Sequence, residues 1–343
     1  MLSPAEQLKG EILDGGWTVV DRVERPEGAT GGHFSHGYIV RSRDGVRAYL
    51  KAIDLRRAFG QPDVTIALQR ITEVFNFERD LCRRCVARKL TRVVRPITDG
   101  THMVVPNDPF SNVSYLIFEL ASGDVRSQMD TLAALDIAWA LRALHHVATG
   151  LKQLHGVGIA HQDLKPSNVL VFPELGAKVA DLGRSSLKGT VGPFDNLDIV
   201  GDRSYAPPDL LYGYLDPDWT QRRIACDAYL LGSMVVFFFL RVSMTALLVS
   251  ELHQDHRPPR QDDDASPHWG GSFEEVLPYL RDAFSRALQR FATEVPTALR
   301  SELRPAVEQL CDPDPRLRRP DLERRVSLFN RIAMRAEMGL LGR

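Results

Sequence analysis

The chain is poor in lysine, poor in cysteine and almost without net charge, and each shortage closes off a class of function. Seven lysines stand against 36 arginines. Arginine can carry surface charge, but a compact point charge on a flexible stem needs lysine, so each of the seven is worth locating. A formal net charge of -1 creates no global field toward nucleic acid or a membrane surface. Four cysteines (Cys82, Cys85, Cys226 and Cys311) are too sparse for a disulfide framework in 343 residues. Cys82 and Cys85 form a CxxC with no second pair at zinc-ligand spacing, which reads as two thiols on one helix turn. Residues 1–17 lack the apolar core of a secretory signal, and a cytoplasmic protein is expected.

Long apolar runs are also scarce. Only residues 230–249 approach the length of a bilayer span. Arg241 lies near the middle of that run, where a charge costs roughly 2.5–3.5 kcal/mol on insertion scales. Gly232, Ser233, Ser243 and Thr245 dilute it further. A helix that is apolar all round serves equally as the buried axis of a soluble domain, so no membrane span is expected.

What is present begins with strand signals. Residues 17–23 are rich in β-branched side chains, and 38–40 and 48–53 flank the turn signal Arg43-Asp-Gly45, which predicts a hairpin. Residues 64–84 repeat apolar side chains at helical spacing (Ile66, Ile71, Val74, Phe75, Phe77), with Asp63 placed to cap the N-terminus. Three more short strands are predicted at 93–97, 102–105 and 114–118. From about residue 130 the pattern turns helical, beginning with an amphipathic stretch at 132–154. A strand pair at 169–172 and 177–180 interrupts it, and a Pro-, Asp- and Gly-rich insert at 253–271 reads as a surface loop. A final stripe of Leu322, Val326, Phe329 and Ile332 predicts a helix over 322–341, to pack on its own domain or to serve self-association. No internal repeat is visible.

Chemistry concentrates in His161-Gln-Asp-Leu-Lys-Pro-Ser-Asn168. Phosphoryl transfer needs a carboxylate to orient the attacking hydroxyl, ligands for a magnesium ion, and positive charge on the phosphates. Asp163 suits the first role and Asn168 offers a hard oxygen for the second. Lys165, two residues beyond the carboxylate, suits the transferring phosphate. Thirteen residues after Asn168, Asp181-Leu-Gly183 places another carboxylate at a strand end, as a second metal ligand. Asp and Gly are common in turns, so this motif takes its weight from the first. Upstream, Lys51 falls inside a half-buried strand, where an amine is normally excluded unless paired. It reads either as an outward side chain on an edge strand or as an amine reaching the α- and β-phosphates. Glu78 on the neighbouring helix is the expected partner, with Glu73 the rival.

Together these residues resemble the signature set of eukaryotic-type (Hanks-type) Ser/Thr protein kinases. Residues 161–168 are similar to the catalytic loop, and Asp181-Leu-Gly183 to the metal-binding Asp-Phe-Gly. Gly201-Asp-Arg-Ser-Tyr-Ala-Pro-Pro-Asp209 is similar to the segment that closes the activation loop at Ala-Pro-Glu. Asp227-Ala-Tyr-Leu-Leu-Gly232 resembles the start of the central helix of the large lobe, which accounts for the apolar run. Residues 312–320 resemble a late Asp-Pro-x-x-Arg motif. The resemblance implies an α+β bilobal kinase fold, with a small antiparallel β lobe bearing one helix (1–118) and a larger, mainly helical lobe (125–343) joined by a hinge at 119–124. It implies ATP, with Mg2+ or Mn2+ as the ion, and protein substrates carrying Ser or Thr, a preference to which Lys165 points. Adenine would bond the backbone at Glu119 and Ala121, and the phosphates would lie under a loop containing Gly32, Gly37 and Ile39. No nucleic-acid partner is implied.

Some positions depart from that pattern. Phe34 stands where the second loop glycine belongs, and a side chain there hinders close approach of backbone to phosphate. An alignment shifted to Gly28, Gly31 and Gly32 restores the glycines but lengthens the loop. Gln162 replaces the Arg that in the family pairs with an activation-loop phosphate, and Gln cannot carry that charge. Phosphorylation of residues 182–208 is therefore not expected to be needed for activity. Asp209 stands in for Glu, with a shorter reach toward Arg318 or Arg319. Two other readings stay open: a pseudokinase that acts as a scaffold or regulatory nucleotide-binding module, which Phe34 motivates, and a kinase-fold enzyme that modifies a small molecule, with the insert at 253–271 forming part of its substrate site.

Overall fold

The computed structural model describes residues 2–24, 35–259 and 268–341. The chain forms two compact units, Met1–Ser122 and Gly123–Arg343. The first contains strands β1 (Ile12–Leu13), β2 (Trp17–Val23), β3 (Ser35–Arg41) and β4 (Arg47–Ile53), helix α1 (Val64–Ala87), and strands β5 (Pro96–Met103) and β6 (Asn112–Glu119). They make one antiparallel sheet in the order β1-β2-β3-β4-β6-β5. Alternation sorts its residues to two faces. Tyr38, Val40, Ala48, Leu50 and Ala52 pack with Tyr115 and Ile117 on one face, beneath the N-terminal residues Ala5 and Leu8. Ile53, Leu116, Ile71 and Phe75 pack on the other, under α1.

The β3–β4 hairpin closes through Gly45, whose φ of 83° favours glycine. Asp63 caps α1, its carboxylate accepting the Ile66 amide at 2.9 Å. The two short strands predicted at 93–97 and 102–105 are replaced by the single strand β5. Gly100 sits inside it, opposite Tyr115 on β6, where a Cβ would lie 2.5 Å from the Tyr115 hydroxyl. Cys82 and Cys85 are buried on α1, and burial pushes the Cys85 thiol up to about 12, which leaves it inert.

The second unit is mainly helical. It contains β7 (Gly123–Asp124), α2 (Val125–Thr131), α3 (Ile137–Gly156), β8 (Ile159–Ala160), β9 (Val169–Phe172), β10 (Gly176–Val179), β11 (Ser186–Leu187), α4 (Pro208–Leu211), α5 (Ala225–Leu240), α6 (Met244–Ser250), α7 (Phe273–Glu294), α8 (Thr297–Leu310) and α9 (Leu322–Glu337). The predicted helix at 132–154 begins later than expected, at Ile137, because Asp136 caps it by accepting the Trp139 amide. The apolar run at 230–249 is not one helix. Arg241 adopts a φ of 61° and ends α5, and Ser243 then caps α6. By length and composition the helical run Thr220–Leu240 could cross a membrane, but most of it is buried as the axis of this unit. On α9, Leu322, Phe329 and Ile332 are buried, and the helix packs along α3. Val326, the fourth residue of the stripe, is half-buried.

Candidate active site

In the first unit, β4 lies between β3 and β6, which rules out the edge-strand reading of Lys51. Lys51 pairs across the sheet with Leu116, a residue of the cluster under α1, so alternation aims the amine at that helix. Its Nζ donates to both Glu78 oxygens, at 2.8 and 2.9 Å. Glu78 is 2% exposed. A carboxylate buried that deeply is tolerated because the amine compensates it. Glu73 points elsewhere and accepts from Gln69 at 2.6 Å. Gly37 lies on β3 opposite Lys51, where any Cβ would lie 2.5 Å from the Tyr49 hydroxyl. Ile39, two residues on, pairs with Tyr49. Gly28, Gly31, Gly32 and Phe34 lie outside the described residues. Glu119 ends β6 and exchanges bonds with Arg95: its amide donates to the Arg95 carbonyl and its carboxylate accepts the Arg95 amide at 2.7 Å. Ala121 follows, half-buried.

In the second unit, residues 161–168 are hung from one buried carboxylate. Asp227, 0% exposed on α5, accepts the amides of His161 and Gln162 at 2.7 and 2.8 Å. His155 bonds it as well, at 2.8 Å. Burial alone would push Asp227 up, but these partners hold its carboxyl below the usual aspartate value. Gln162 takes a φ of 67°, a conformation rare for side-chain-bearing residues, and the two bonds to Asp227 fix it there. His161 Nε2 faces the Ala180 carbonyl at 2.9 Å, so that nitrogen carries the proton. Its Nδ1 accepts the Asp163 amide at 3.2 Å.

These contacts leave Asp163 facing a small polar cluster. One oxygen accepts the Asp202 amide at 2.8 Å and the other the Asn168 side-chain amide at 3.0 Å. Lys165 Nζ stands 3.3 Å from Asp163 and 3.3 Å from Asp202, one ammonium between two carboxylates. Asp163 is 8% exposed. Burial pushes its carboxyl above the ordinary aspartate value, and the nearby Asp181 charge adds to the rise while Lys165 opposes it. A carboxylate tuned upward suits proton acceptance near neutral pH better than an ordinary one. Asn168 also donates to the Asp163 carbonyl at 2.7 Å. With its nitrogen committed to Asp163, the amide keeps its oxygen as an acceptor. Asp181 is exposed at the end of β10, with a φ of 61°, and accepts the Gly183 amide at 3.4 Å.

The closing segment reaches this cluster through Gly201. A Cβ at Gly201 would lie 2.3 Å from the Gln162 carbonyl oxygen and 2.8 Å from an Asp163 carboxylate oxygen. Backbone cannot yield as a flexible side-chain tip can. Gly201→Ala is therefore expected to displace the 162–163 backbone and lower turnover by about a hundredfold, measured as kcat on a protein substrate. Further along, Asp209 ion-pairs with Arg318, their side chains 4% and 0% exposed, whereas Arg319 is exposed. The shorter carboxylate still reaches its partner.

Two of the loop hydroxyls are closed to modification. Ser185 and Ser186 are buried, and Ser186 Oγ donates to Asp195 at 2.9 Å. Thr190 is exposed. Thr190→Ala is expected to keep kcat within about twofold of the unsubstituted chain, as other exposed substitutions do, in a steady-state assay. Asp202, Asp195 and Arg223 escaped the sequence reading. Asp202 lies inside a motif that was noticed, but nothing local marks Asp195 or Arg223.

A sheet-borne lysine paired to a helix glutamate, and a buried carboxylate loop hung from a central helix, are features of the protein kinase class. A family model for the protein kinase domain matches residues 72–319, more than half of the chain, and the chain belongs to that family. It is 31% identical over 182 residues to mitogen-activated protein kinase 4 of Oryza sativa, a match covering 50% of this chain and 48% of that protein. It is 30% identical over 182 residues to mitogen-activated protein kinase 2 of Arabidopsis thaliana, covering 50% and 47%. Against serine/threonine-protein kinase ssp1 of Schizosaccharomyces pombe it is 26% identical over 262 residues, covering 73% and 38%. The chain thus spans about half or less of the length of these curated relatives.

Proposed function

We propose that the chain is an active Ser/Thr protein kinase, moving the γ-phosphoryl group of ATP to protein hydroxyls with Mg2+ as the ion. The observation that carries this reading is the buried Asp163 carboxylate with Lys165 and Asn168 bonded around it. Asp163 orients the acceptor hydroxyl and takes its proton as the new phosphate ester forms and the bond to ADP breaks. Lys165 stabilises charge on the phosphoryl group in transit. Lys51, held by Glu78, is assigned to the α- and β-phosphates, and the backbone at Glu119 and Ala121 to adenine.

The Asn168 amide oxygen and the Asp181 carboxylate are hard donors of the kind Mg2+ takes. Among the described residues, no group of three or more His, Cys, Asp or Glu side chains could hold a metal ion unaided. When bound, Mg2+ neutralises charge on the phosphate oxygens. The relative from Schizosaccharomyces pombe is named a serine/threonine-protein kinase, which agrees with the Lys165 preference. A pure scaffold role has no use for Lys51, Asp163, Asn168 and Asp181 as residue types.

The test is phosphoamino-acid analysis of casein after incubation with the purified chain, ATP and magnesium. Phosphoserine or phosphothreonine is expected, with the signal lost in Lys51→Met and Asp181→Ala. Label confined to a small molecule, or no transfer together with no melting shift by ATP, would defeat the reading.

A further inference from the structure

We propose that Asp195 and Arg223 are positioning residues for phosphoryl transfer: a built-in ion pair that holds the activation segment and the residue before Asp163 in register without a phosphate. The inference rests on the kinase reading for its catalytic half. Its structural half stands alone.

The pair is made of an interior cation and a carboxylate of the activation segment. The Arg223 side chain is 3% exposed and that of Asp195 23%. Arg223 Nη2 donates to the Asp195 carboxylate at 3.0 Å and to its carbonyl at 3.1 Å. The same guanidinium stands 3.4 Å from the Gln162 side-chain oxygen through Nη1. Gln162 answers by donating to the Arg223 carbonyl at 2.8 Å and to Asp227 at 3.2 Å. One arginine therefore touches the activation segment on one side and, on the other, the residue directly before the base. Gln162 lacks the charge to hold the segment itself, and Arg223 brings that charge from a different element.

Asp195 is tied on its other side. Its two oxygens accept the Ser186 hydroxyl at 2.9 Å and the Gly192 amide at 2.7 Å. Ser186 Oγ in turn accepts the Trp219 indole at 3.0 Å, and its strand β11 pairs with β8, which leads into His161. Neighbouring contacts run the same way. Arg222 donates to the Leu197 carbonyl at 2.9 Å, and the Arg184 guanidinium lies 4.4 Å from the Phe194 ring centre. Arg222 and Arg223 can both serve residues 195–197 because Thr220–Ile224 is a π-helical turn, whose wider winding alters the normal fan of side chains.

The consequence is specific to charge. Neutralise Asp195, and an interior guanidinium is left with Asp227 as its remaining carboxylate neighbour. Asp227 already holds the amides of His161 and Gln162. An unpaired buried cation would compete for the groups that set the position of Asp163. Removing both charges together relieves that competition.

The experiment measures kcat, KM for ATP and peptide-level hydrogen exchange for the full chain and for Asp195→Asn, Arg223→Gln and the double variant. Each single change is expected to lower kcat about a hundredfold, with KM for ATP changed by less than about threefold. Exchange over 186–197 is expected to rise at least about tenfold, while β9 and β10 stay protected and show the unit still folded. The double variant is expected to recover a substantial part of both losses. Single variants with kcat and exchange like the parent, exchange that rises without loss of kcat, or a double variant no better than the worse single, would each overturn the pair. If the parent chain transfers no phosphate, the proposed function fails on its own, and the exchange results still decide whether the pair holds the segment.

Discussion

Asp163→Asn is expected to lower kcat for phosphoryl transfer by about a thousandfold, within the range that a positioned general base contributes. The substitution preserves shape and keeps an oxygen to accept the Asp202 amide, so the fold and the affinity for ATP should change little. What disappears is the ability to take the proton of the attacking hydroxyl. The pH profile gives a sharper signature. Burial and the Asp181 charge raise the Asp163 carboxyl above its ordinary value, and the base works only when deprotonated. The parent's kcat/KM should therefore fall as pH drops through that raised value, at a higher pH than an ordinary aspartate would produce. The residual activity of Asp163→Asn should lack that limb. Stability runs the other way. A carboxyl raised in the folded state destabilises the fold progressively as pH climbs from the unfolded aspartate value through the raised one, a downward slope in melting temperature that Asp163→Asn should lack.

Arg318→Ala carries the largest expected effect on stability, about 3–5 kcal/mol, because it strands the Asp209 carboxylate in the interior. Arg318 also donates to the Asp312 and Pro313 carbonyls, at 2.7 and 3.2 Å, and lies 5.1 Å from the Tyr229 ring centre. One substitution thus unties the loop before α9 from the closing segment and from α5. Thermal melting should show a fall on the order of 10 °C for a unit of this size. Arg318→Met combined with Asp209→Asn should be more stable than Arg318→Ala, since no uncompensated charge then remains. A double variant that melts as low as Arg318→Ala would mean that the lost hydrogen bonds to the Asp312 and Pro313 carbonyls, and not the stranded carboxylate, set the cost.

Legibility in the sequence followed the range of the interaction. Residues 161–168 are read locally, because the spacing of Asp163, Lys165 and Asn168 is itself the arrangement the structure displays. The Lys51–Glu78 pair was reachable by argument, since an amine inside a strand needs a partner and helical period narrows the choice to two glutamates. Of the two, Glu78 was the expected partner, and Lys51 donates to it while Glu73 accepts from Gln69. Gly201 shows the limit. Its place in the closing segment was visible, but its role depends on a backbone approach to Gln162, 39 positions earlier in the sequence. Asp195 and Arg223 gave no signal at all, because an ion pair between distant elements has no period and no motif. The apolar run at 230–249 was rightly assigned to the interior, yet its break at Arg241 was not foreseen, since a left-handed Arg has no compositional mark.

The most direct test of the account is the intact mass of the purified chain after incubation with ATP and magnesium, alone and with casein, beside Asp163→Asn treated identically. The account predicts phosphoryl groups added to the parent or to casein, located on serine or threonine, and none above background in the variant. Equal incorporation by the two proteins would contradict the role given to Asp163. No incorporation by either would contradict the kinase reading itself.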